Sequence, residues 1–171
     1  MEKIKILIDE KTIEKRVDEL AKQIMKDYEG KEIVILSLLK GSIFFTIELT
    51  KRLKNKVYFE FIEISSYGNA TTSSGKITVN KDLTSSIEGK DILVIEDLID
   101  TGRTLSYLVD HLKEKKPNSV KIATLLSKPE RREIDVKVDY VGFEIPNKFV
   151  IGYGMDYEQA YRNLPYVGYI E

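Results

Sequence analysis

The apolar positions of the chain follow two patterns that alternate along its length. Residues 4–8 form a short, mainly apolar segment that predicts a strand. The apolar residues between positions 13 and 25 then recur at helical spacing, and Gly30 follows where we expect the C-cap of this helix. The chain therefore opens with a strand and a helix.

Three continuous apolar runs predict strands that are buried on both faces, as strands of parallel sheets are. They cover residues 32–39, 91–95 and 120–127. A helical pattern over residues 42–53, with Ser42 as N-cap, follows the first run, and a second from 102 to about 115 follows the next. Strands that alternate with helices in this way predict an α/β fold with a parallel sheet.

The other segments carry weaker patterns. Residues 57–68, 138–146 and 149–154 are strand candidates, residues 68–77 are small and polar and predict a loop, and the tail 161–170 has no regular pattern. No internal repeat or linker divides the 171 residues, so we expect a single domain over residues 1–171.

Because ligands of parallel sheets bind at the carboxyl ends of the strands, we expect three loops to meet at one site. These loops are residues 39–42, 96–104 and 127–132.

Composition narrows the classes of partner and metal. Lys and Arg total 27 and Asp and Glu 28, so the net charge of −1 gives no electrostatic footprint for nucleic acid or an anionic membrane. With no cysteine and one histidine, a bound metal should be a hard cation on oxygen ligands. The apolar start is too short for a signal peptide, and no apolar run approaches a membrane span, which predicts a cytoplasmic protein.

The stretch "ILVIEDLIDTGRTL" carries the most specific chemistry. Glu96, Asp97 and Asp100 crowd three carboxylates at the end of a predicted strand, and each raises the cost of ionising its neighbours. Acceptor-only carboxylates suit the hydroxyls of a ribose, and they also suit a divalent cation. A ligand should therefore relieve the crowding.

A predicted helix start lies directly after these carboxylates. Its unpaired N–H groups suit a phosphate, Gly102 lets the backbone approach closely, and the hydroxyls of Thr101 and Thr104 are donors. Neither the phosphate-binding motif G-x-x-x-x-G-K-[ST] nor the dinucleotide motif G-x-G-x-x-G is present. The local chemistry is that of a sugar phosphate site.

"VIEDLIDTGRTL" resembles the phosphoribosyl pyrophosphate binding motif of type I phosphoribosyltransferases. The segments "LLKGS", "SSYGN", "LLSKPERR", "VGFEIPNKFVIGYGMDY" and "YRNLPYVGYI" resemble, in order and spacing, the bacterial type of hypoxanthine-guanine phosphoribosyltransferases. The resemblance covers nearly the whole chain after about residue 30. It implies the type I phosphoribosyltransferase fold, with a mainly parallel central sheet, flanking helices and a small hood formed by the chain ends.

The resemblance also implies an activity. Such an enzyme transfers the 5-phosphoribosyl group from phosphoribosyl pyrophosphate to hypoxanthine or guanine with Mg²⁺, giving IMP or GMP and pyrophosphate in purine salvage. The implied partners are these substrates and further copies of the chain in a homodimer or homotetramer, with no nucleic acid and no membrane.

Roles for the acidic segment follow from the same resemblance. Glu96 and Asp97 would hold the ribose hydroxyls and help to place magnesium. Asp100 would be the catalytic acid/base that handles the proton on purine N7. The 5′-phosphate would be lined by Asp100, Thr101, Gly102, Arg103 and Thr104.

Two further loops are implied to cover the pyrophosphate. Leu39, Lys40, Gly41 and Ser42 would form the pyrophosphate loop, although "LKGS" also fits an ordinary turn between strand and helix. In relatives the Leu–Lys peptide can be cis. Ser66 and Tyr67 match residues of a lid that closes over the site, whereas composition alone indicates a surface loop.

The purine would be held by the end of the chain and by Lys128. The ammonium group of Lys128 would donate to O6, and it offers nothing to the amino group of adenine. Phe149 would stack on the base, and the backbone of Val150 would read the other edge. Asp156 matches a second magnesium position, and Arg162 matches the arginine that binds pyrophosphate.

Other interpretations remain open at this point. Lys128 alone fits a solvated surface lysine, and Phe149 fits a core residue equally well. We assign Arg131 and Arg132 to the charged surface and His111 to a structural role.

Three alternatives to the implied activity also stand. The first is a preference for xanthine, and the second is an RNA-binding regulatory relative, which would need a basic face. The third, a pocket that binds a sugar phosphate without turnover, is disfavoured because Asp100 and Lys128 are both present.

Overall fold

The computed structural model describes residues 3–67 and 76–171. In these ranges the elements are, in chain order, β1 (Ile4–Ile8), α1 (Glu10–Asp27), β2 (Ile33–Leu39), α2 (Ile43–Thr50), β3 (Val57–Tyr67), β4 (Lys76–Lys81), β5 (Asp91–Ile99), α3 (Arg103–Lys113), β6 (Ser119–Ser127), β7 (Tyr140–Glu144), β8 (Val150–Ile151) and β9 (Val167–Ile170). A single 3₁₀ turn, Pro129–Arg131, follows β6.

The central sheet has six strands in the order β4-β3-β2-β5-β6-β7. Strands β3, β2, β5, β6 and β7 are parallel to their neighbours in this group, and only β4 runs antiparallel, against β3. The predicted α/β fold with a mainly parallel central sheet is confirmed.

The chain ends form a second, antiparallel sheet of three strands in the order β1-β9-β8. This is the predicted hood. Val150 and Val167 of the hood belong to the same core cluster as Ile13 of α1 and Ile35 of β2. The interpretation of residues 1–171 as one domain stays a prediction.

The continuous apolar runs are explained by burial on both faces of the sheet. On β2, Ile33 and Ile35 pack in the cluster with α1 and α2, whereas Val34 and Leu36 pack in the cluster with α3. A strand with helices on both sides has no polar face, so its sequence loses the alternation of an exposed strand.

Two element boundaries differ from the expectation, and one predicted N-cap lacks its capping bond. Helix α1 ends at Asp27 with Tyr28 as its C-cap, whose N–H bonds to the carbonyl of Ile24, and Gly30 lies in the turn beyond with a φ of 72°. Strand β5 continues through the acidic residues to Ile99, because β6 provides a partner for this stretch. Ser42 occupies the N-cap position of α2 without a capping bond, since its hydroxyl donates to the carbonyl of Leu38.

Two strands were not expected. Lys76 and Ile77, placed in a loop by composition, begin β4, which pairs with the end of β3. The rest of that expected loop, residues 68–75, lies outside the described residues. The tail was expected to be irregular, but residues of β9 pair with both β1 and β8. Among the helices of the described ranges, none has the length and apolar character needed to cross a membrane.

A buried carboxylate ties β3 to the segment that leads into β5. The Glu60 side chain is 6% exposed and accepts bonds from the N–H groups of Thr84 at 3.2 Å and Ser85 at 2.9 Å. Burial by itself raises the pKa of Glu60, but these hydrogen bonds outweigh it and leave the pKa below its ordinary value. The ionised form is therefore the one that stabilises the fold.

We expect Glu60→Gln to lower the free energy of unfolding by about 1–3 kcal/mol at pH 7, because the N–H groups of Thr84 and Ser85 lose a buried, charged acceptor. A glutamate with a depressed pKa in the folded state stabilises above its pKa in the unfolded chain. The difference between wild type and variant should therefore shrink as the pH falls through the folded-state pKa. Urea unfolding at several pH values measures this, with the exposed Glu88→Gln as control. A difference independent of pH would contradict it.

Candidate active site

Three loops at the carboxyl ends of the strands are in direct contact. A side chain on Gly41, in the loop after β2, would overlap the carboxylate of Asp97 on β5. A side chain on Gly154, which follows β8 and has a φ of 98°, would overlap the carbonyl oxygen of Gly41. The absence of a Cβ at these two positions therefore allows the hood, the β2 loop and β5 to meet.

The loop after β2 is supported by buried hydroxyl groups. Ser37 Oγ lies 2.8 Å from Ser42 Oγ and 2.7 Å from Thr46 Oγ1, and Ser42 Oγ donates to the carbonyl of Leu38 at 2.6 Å. The peptide bond between Leu39 and Lys40 is cis. Lys40 itself is exposed at the rim of the site.

Two of the predicted carboxylates lie within β5 in different surroundings. Glu96 is buried, and both this burial and the neighbouring charge of Asp97 raise its pKa well above the ordinary value. Its Oε1 accepts the N–H of Asp97 at 3.0 Å. Asp97 is half-buried, and its Oδ1 accepts the N–H of Leu98 at 2.7 Å. The backbone therefore fixes both carboxylates at the mouth of the site.

The helix start after β5 has the geometry of an anion site. Gly102, with a φ of 89°, is the N-cap of α3 and makes no side-chain capping bond. A cavity of about 90 Å³ lies in front of it. Its lining comprises Glu96, Leu98, Ile99, Asp100, Thr101, Gly102, Thr104 and Leu105. Arg103 points away to an ion pair with Glu133 at 2.5 Å, and Thr101 Oγ1 accepts the N–H of Arg103 at 3.3 Å.

A larger groove of about 630 Å³ lies between α3 and residues 135–139. It reaches the amino end of β6 and is lined by none of the predicted site residues. The predicted site residues and this groove are therefore at different places in the fold.

Lys128 and Phe149 both differ from their simplest interpretations. The side chain of Lys128 is 7% exposed, which rules out a solvated surface lysine, and burial lowers the pKa of its ammonium group. Phe149 is 61% exposed, which rules out a core position, and its ring meets that of Tyr157 edge-on at 5.9 Å. A buried cation and an exposed aromatic ring are suited to hold a flat polar ligand.

The end of the chain brings two further predicted residues together. Arg162 donates to the carbonyl of Gly154 at 2.7 Å and lies 3.5 Å from the carboxylate of Asp156. Gln159, which sequence analysis missed, accepts from Arg162 at 3.1 Å and from Lys40 at 3.4 Å. Gln159 has a φ of 68°, which is set by the surrounding turn, and no local sequence pattern predicts this conformation.

Arg131 is exposed, as its assignment to the charged surface predicted, but both Arg131 and Arg132 bond to Asp100. Arg131 Nε donates to Oδ1 of Asp100 at 2.9 Å. Arg132 donates to the carbonyl of Asp100 at 3.2 Å and to Ser127 Oγ at 2.8 Å. Their position directly after the carboxyl end of β6 was the signal that could have identified them.

The remaining predicted residues lie nearby or partly outside the description. Ser66 is exposed near the end of β3. Tyr67 is the last residue of β3, and its side chain lies outside the described residues, as does most of the expected lid. Val150 is buried in β8, where it pairs with Tyr169. His111 lies 3.0 Å from the carboxylate of Asp82, in keeping with a structural role.

The acidic residues fit a magnesium ion that arrives with its ligand. Across residues 3–67 and 76–171, no group of three or more His, Cys, Asp or Glu side chains is arranged to hold a metal by itself. Mg²⁺ is usually bound through one or two carboxylates together with water and substrate phosphates. Asp97, with one oxygen bound to the backbone and the other facing Gly41, is such a carboxylate.

The mainly parallel sheet, the hood, the acidic strand end and the open helix start together fit an α/β fold built around a sugar phosphate site. More particularly, the chain belongs to the phosphoribosyltransferase family, because the model of the phosphoribosyl transferase domain matches residues 4–158. The family resemblance of the sequence is thereby confirmed.

Relatives of known identity match nearly the whole chain. The hypoxanthine-guanine phosphoribosyltransferase of Bacillus subtilis (strain 168) is 47% identical over 98% of this chain and 93% of that protein. The bifunctional protein TilS/HprT of Listeria monocytogenes is 48% identical over 98% of this chain. The chain spans only 26% of the length of that bifunctional protein.

Solved structures agree with the sequence comparison. A hypoxanthine-guanine phosphoribosyltransferase of Bacillus anthracis superposes with a TM-score of 0.95 at 46% identity, covering 100% of both chains. The hypoxanthine phosphoribosyl transferase of Trypanosoma cruzi gives a TM-score of 0.91 at 41% identity, covering 98% of this chain and 91% of that chain. The role of its C-terminal region in oligomeric state and enzymatic activity has been a subject of study.

The contact between Gly154 and Gly41 is testable by alanine substitution. We expect Gly154→Ala to lower the free energy of unfolding by about 2–4 kcal/mol, because it adds a backbone overlap to the strain of a positive φ. Gly89→Ala is the matched control, because Gly89 has a φ of 72° and a Cβ added there would have no atom within 4 Å. Its free energy of unfolding should fall by only about 1 kcal/mol. Equal losses in urea unfolding would rule out the close approach.

Proposed function

We propose that this chain transfers the 5-phosphoribosyl group of phosphoribosyl pyrophosphate to hypoxanthine or guanine, releasing pyrophosphate. The observation that carries the proposal is the joining of the loops after β5 and β6. The N–H of Lys128 bonds to the carbonyl of Ile99 at 2.9 Å, directly before Asp100. A buried cation for O6 and a carboxylate for N7 are thereby held next to each other, as a 6-oxopurine requires.

The 5′-phosphate binds at the start of α3 in this proposal. The small cavity there is lined by backbone and by the hydroxyl residues Thr101 and Thr104. Helix N–H groups and the positive end of the helix dipole stabilise a dianion. Because Gly102 makes no side-chain capping bond, the ligand supplies the cap.

The carboxylates Glu96 and Asp97 hold the ribose hydroxyls and a magnesium ion. Asp97 faces the Gly41 loop and is suited to the metal, whereas Glu96 is buried and its raised pKa favours the protonated form in the absence of a ligand. Bound magnesium would neutralise the pyrophosphate as it leaves. Asp156 remains the proposed second magnesium position, held by the N–H of Gln159 at 2.9 Å.

Asp100 and Lys128 act on the purine. Asp100 accepts the N7 proton while N9 attacks the anomeric carbon, and Lys128 donates to O6. Phe149 offers an exposed ring on which the purine stacks, and the backbone of Val150 reads the opposite edge. The ammonium group has no acceptor for the 6-amino group of adenine, so adenine leaves a buried charge unpaired.

The pyrophosphate lies between the β2 loop and Arg162. Leu39, Lys40, Gly41 and Ser42 form one wall, and Arg162 supplies a second positive charge near Lys40 through their shared partner Gln159. Ser66 and Tyr67 are proposed to cover the leaving group. Assembly into a homodimer or homotetramer and a cytoplasmic location stay predictions.

The first test is nucleotide formation from phosphoribosyl pyrophosphate and Mg²⁺, with hypoxanthine, guanine, xanthine and adenine offered separately. We expect turnover of hypoxanthine and guanine and none of adenine. Asp100→Ala should lower kcat by about 10²–10⁴-fold, because general acid–base catalysis is worth that much.

Each other outcome of this test has a definite meaning. Preference for xanthine would keep the mechanism and change the substrate. If no base is turned over although phosphoribosyl pyrophosphate binds, the enzyme assignment is wrong. Salt-dependent retention of RNA by the same preparation would then support the regulatory alternative.

The second test concerns Lys128 alone. Lys128→Met keeps the length of the side chain but removes its charge and donors, so kcat/KM for hypoxanthine should fall by about 10–100-fold. The KM for phosphoribosyl pyrophosphate should change little. Lys137→Met is the control, since the Lys137 side chain is 90% exposed and away from the site. Unchanged preference between hypoxanthine and adenine in Lys128→Met would contradict the O6 role.

A further inference from the structure

Asp100 is held by a partner that the proposed reaction does not itself require. Arg131, in the 3₁₀ turn after β6, donates through Nε to Oδ1 of Asp100 at 2.9 Å. The same carboxylate raises the pKa of Arg131, in keeping with a persistent ion pair. One carboxylate oxygen is thereby engaged before a substrate arrives.

The backbone around this ion pair is fixed from both sides. The N–H groups of Glu133 and Ile134 bond to the carbonyl of Thr101 at 2.9 Å and 3.1 Å. Arg132 bonds to the carbonyl of Asp100 at 3.2 Å. Because the turn that carries Arg131 and the loop that carries Asp100 cannot move independently, the guanidinium group has a defined position relative to the carboxylate.

The two cationic side chains near Asp100 differ in their burial. Lys128 is buried, and the charge of Asp100 stabilises its ammonium form while that of Arg131 opposes it. Arg131 is on the outer side, with its side chain 46% exposed against 43% for Asp100. An ion pair at this exposure contributes little to folding stability. We therefore look for its role in the orientation of the Asp100 carboxylate.

We propose that Arg131 is the positioning residue of the acid/base carboxylate, and this inference rests on the proposed function. Arg131 binds Oδ1 and turns Oδ2 towards the N7 proton of the purine. Arg131 touches neither the sugar nor the base in this proposal and acts only through Asp100.

A double-mutant cycle tests this dependence. We expect Arg131→Ala to lower kcat for hypoxanthine about tenfold when Asp100 is present, and less than about twofold in the Asp100→Ala background. Single-turnover measurements at high protein concentration make the slow Asp100→Ala rates accessible. The KM for phosphoribosyl pyrophosphate should be the same for Arg131→Ala as for wild type.

Conservative variants separate charge from geometry. Arg131→Lys keeps the charge without the planar fork, and Arg131→Gln keeps a donor without the charge, so each should recover part of the lost kcat. Glu130→Ala, in the same turn and exposed, is the control and should match wild type. Urea unfolding of every variant checks that the fold is intact.

The outcomes distinguish the inference from the function on which it rests. If wild type forms nucleotide and Arg131→Ala lowers kcat by the same factor with Asp100 present and in Asp100→Ala, Arg131 does not act through Asp100. The inference is then wrong. A raised KM for phosphoribosyl pyrophosphate would instead make it a substrate ligand and overturn the inference too. If wild type forms no nucleotide with any base, the proposed function itself fails, and the inference fails with it.

Discussion

The whole site depends on the pairing of the last residues of β5 with β6. Glu96 lies opposite Thr124 and Ile99 opposite Ser127, so the ladder continues past the apolar part of β5 into its acidic end. This pairing gives the carboxylates a rigid backbone and brings Lys128 beside Asp100. A strand that ended at Ile95 would leave the same residues in a loop without fixed orientation.

Two ionisable groups of the site, Glu96 and Lys128, are buried, and burial makes their charged forms unfavourable. Burial and the neighbouring carboxylate disfavour the charge of Glu96, and burial disfavours that of Lys128. In the proposed function, a sugar pyrophosphate with magnesium would bring hydroxyl groups and positive charge to the carboxylates, and a purine would bring an acceptor to the ammonium group. Ligand binding would therefore give these buried groups the partners that they lack, which favours binding. A site whose polar groups are already in place needs little rearrangement.

The sequence predicts the elements whose signals are local. The doubly buried strands β2, β5 and β6 are apolar throughout, α1 has a clear helical stripe, and the acidic motif marks the strand end. The strand β9 carries no such signal, because its order comes from β1 at the other end of the chain. The boundary of β5 was also missed, since Glu96 and Asp97 are poor strand formers that only β6 keeps in the sheet.

Some side chains of the candidate site could likewise be predicted from the sequence, and others could be found only in the structure. The motif residues were predicted from the family resemblance, whereas Arg131 was assigned to the surface and its bond to Asp100 was visible only in the structure. The contact between Gly41 and Gly154 joins residues far apart in the chain, and no pattern in either segment implies it. Sequence thus predicts which groups are present, and long-range packing decides which of them meet.

The hood has a consequence for the order in which the site is assembled during synthesis. Strand β1 is synthesised before the other described strands, yet its ladder partner is β9, which is synthesised after them. Strands β2, β5 and β6 and the start of α3 need no residue of β9 for their ladder. A nascent chain can therefore form the end of β5 and the start of α3 while Val150 still lacks its partner Tyr169 in β9. In the proposed function, the part of the site that reads the purine is therefore completed only after β9 has been synthesised.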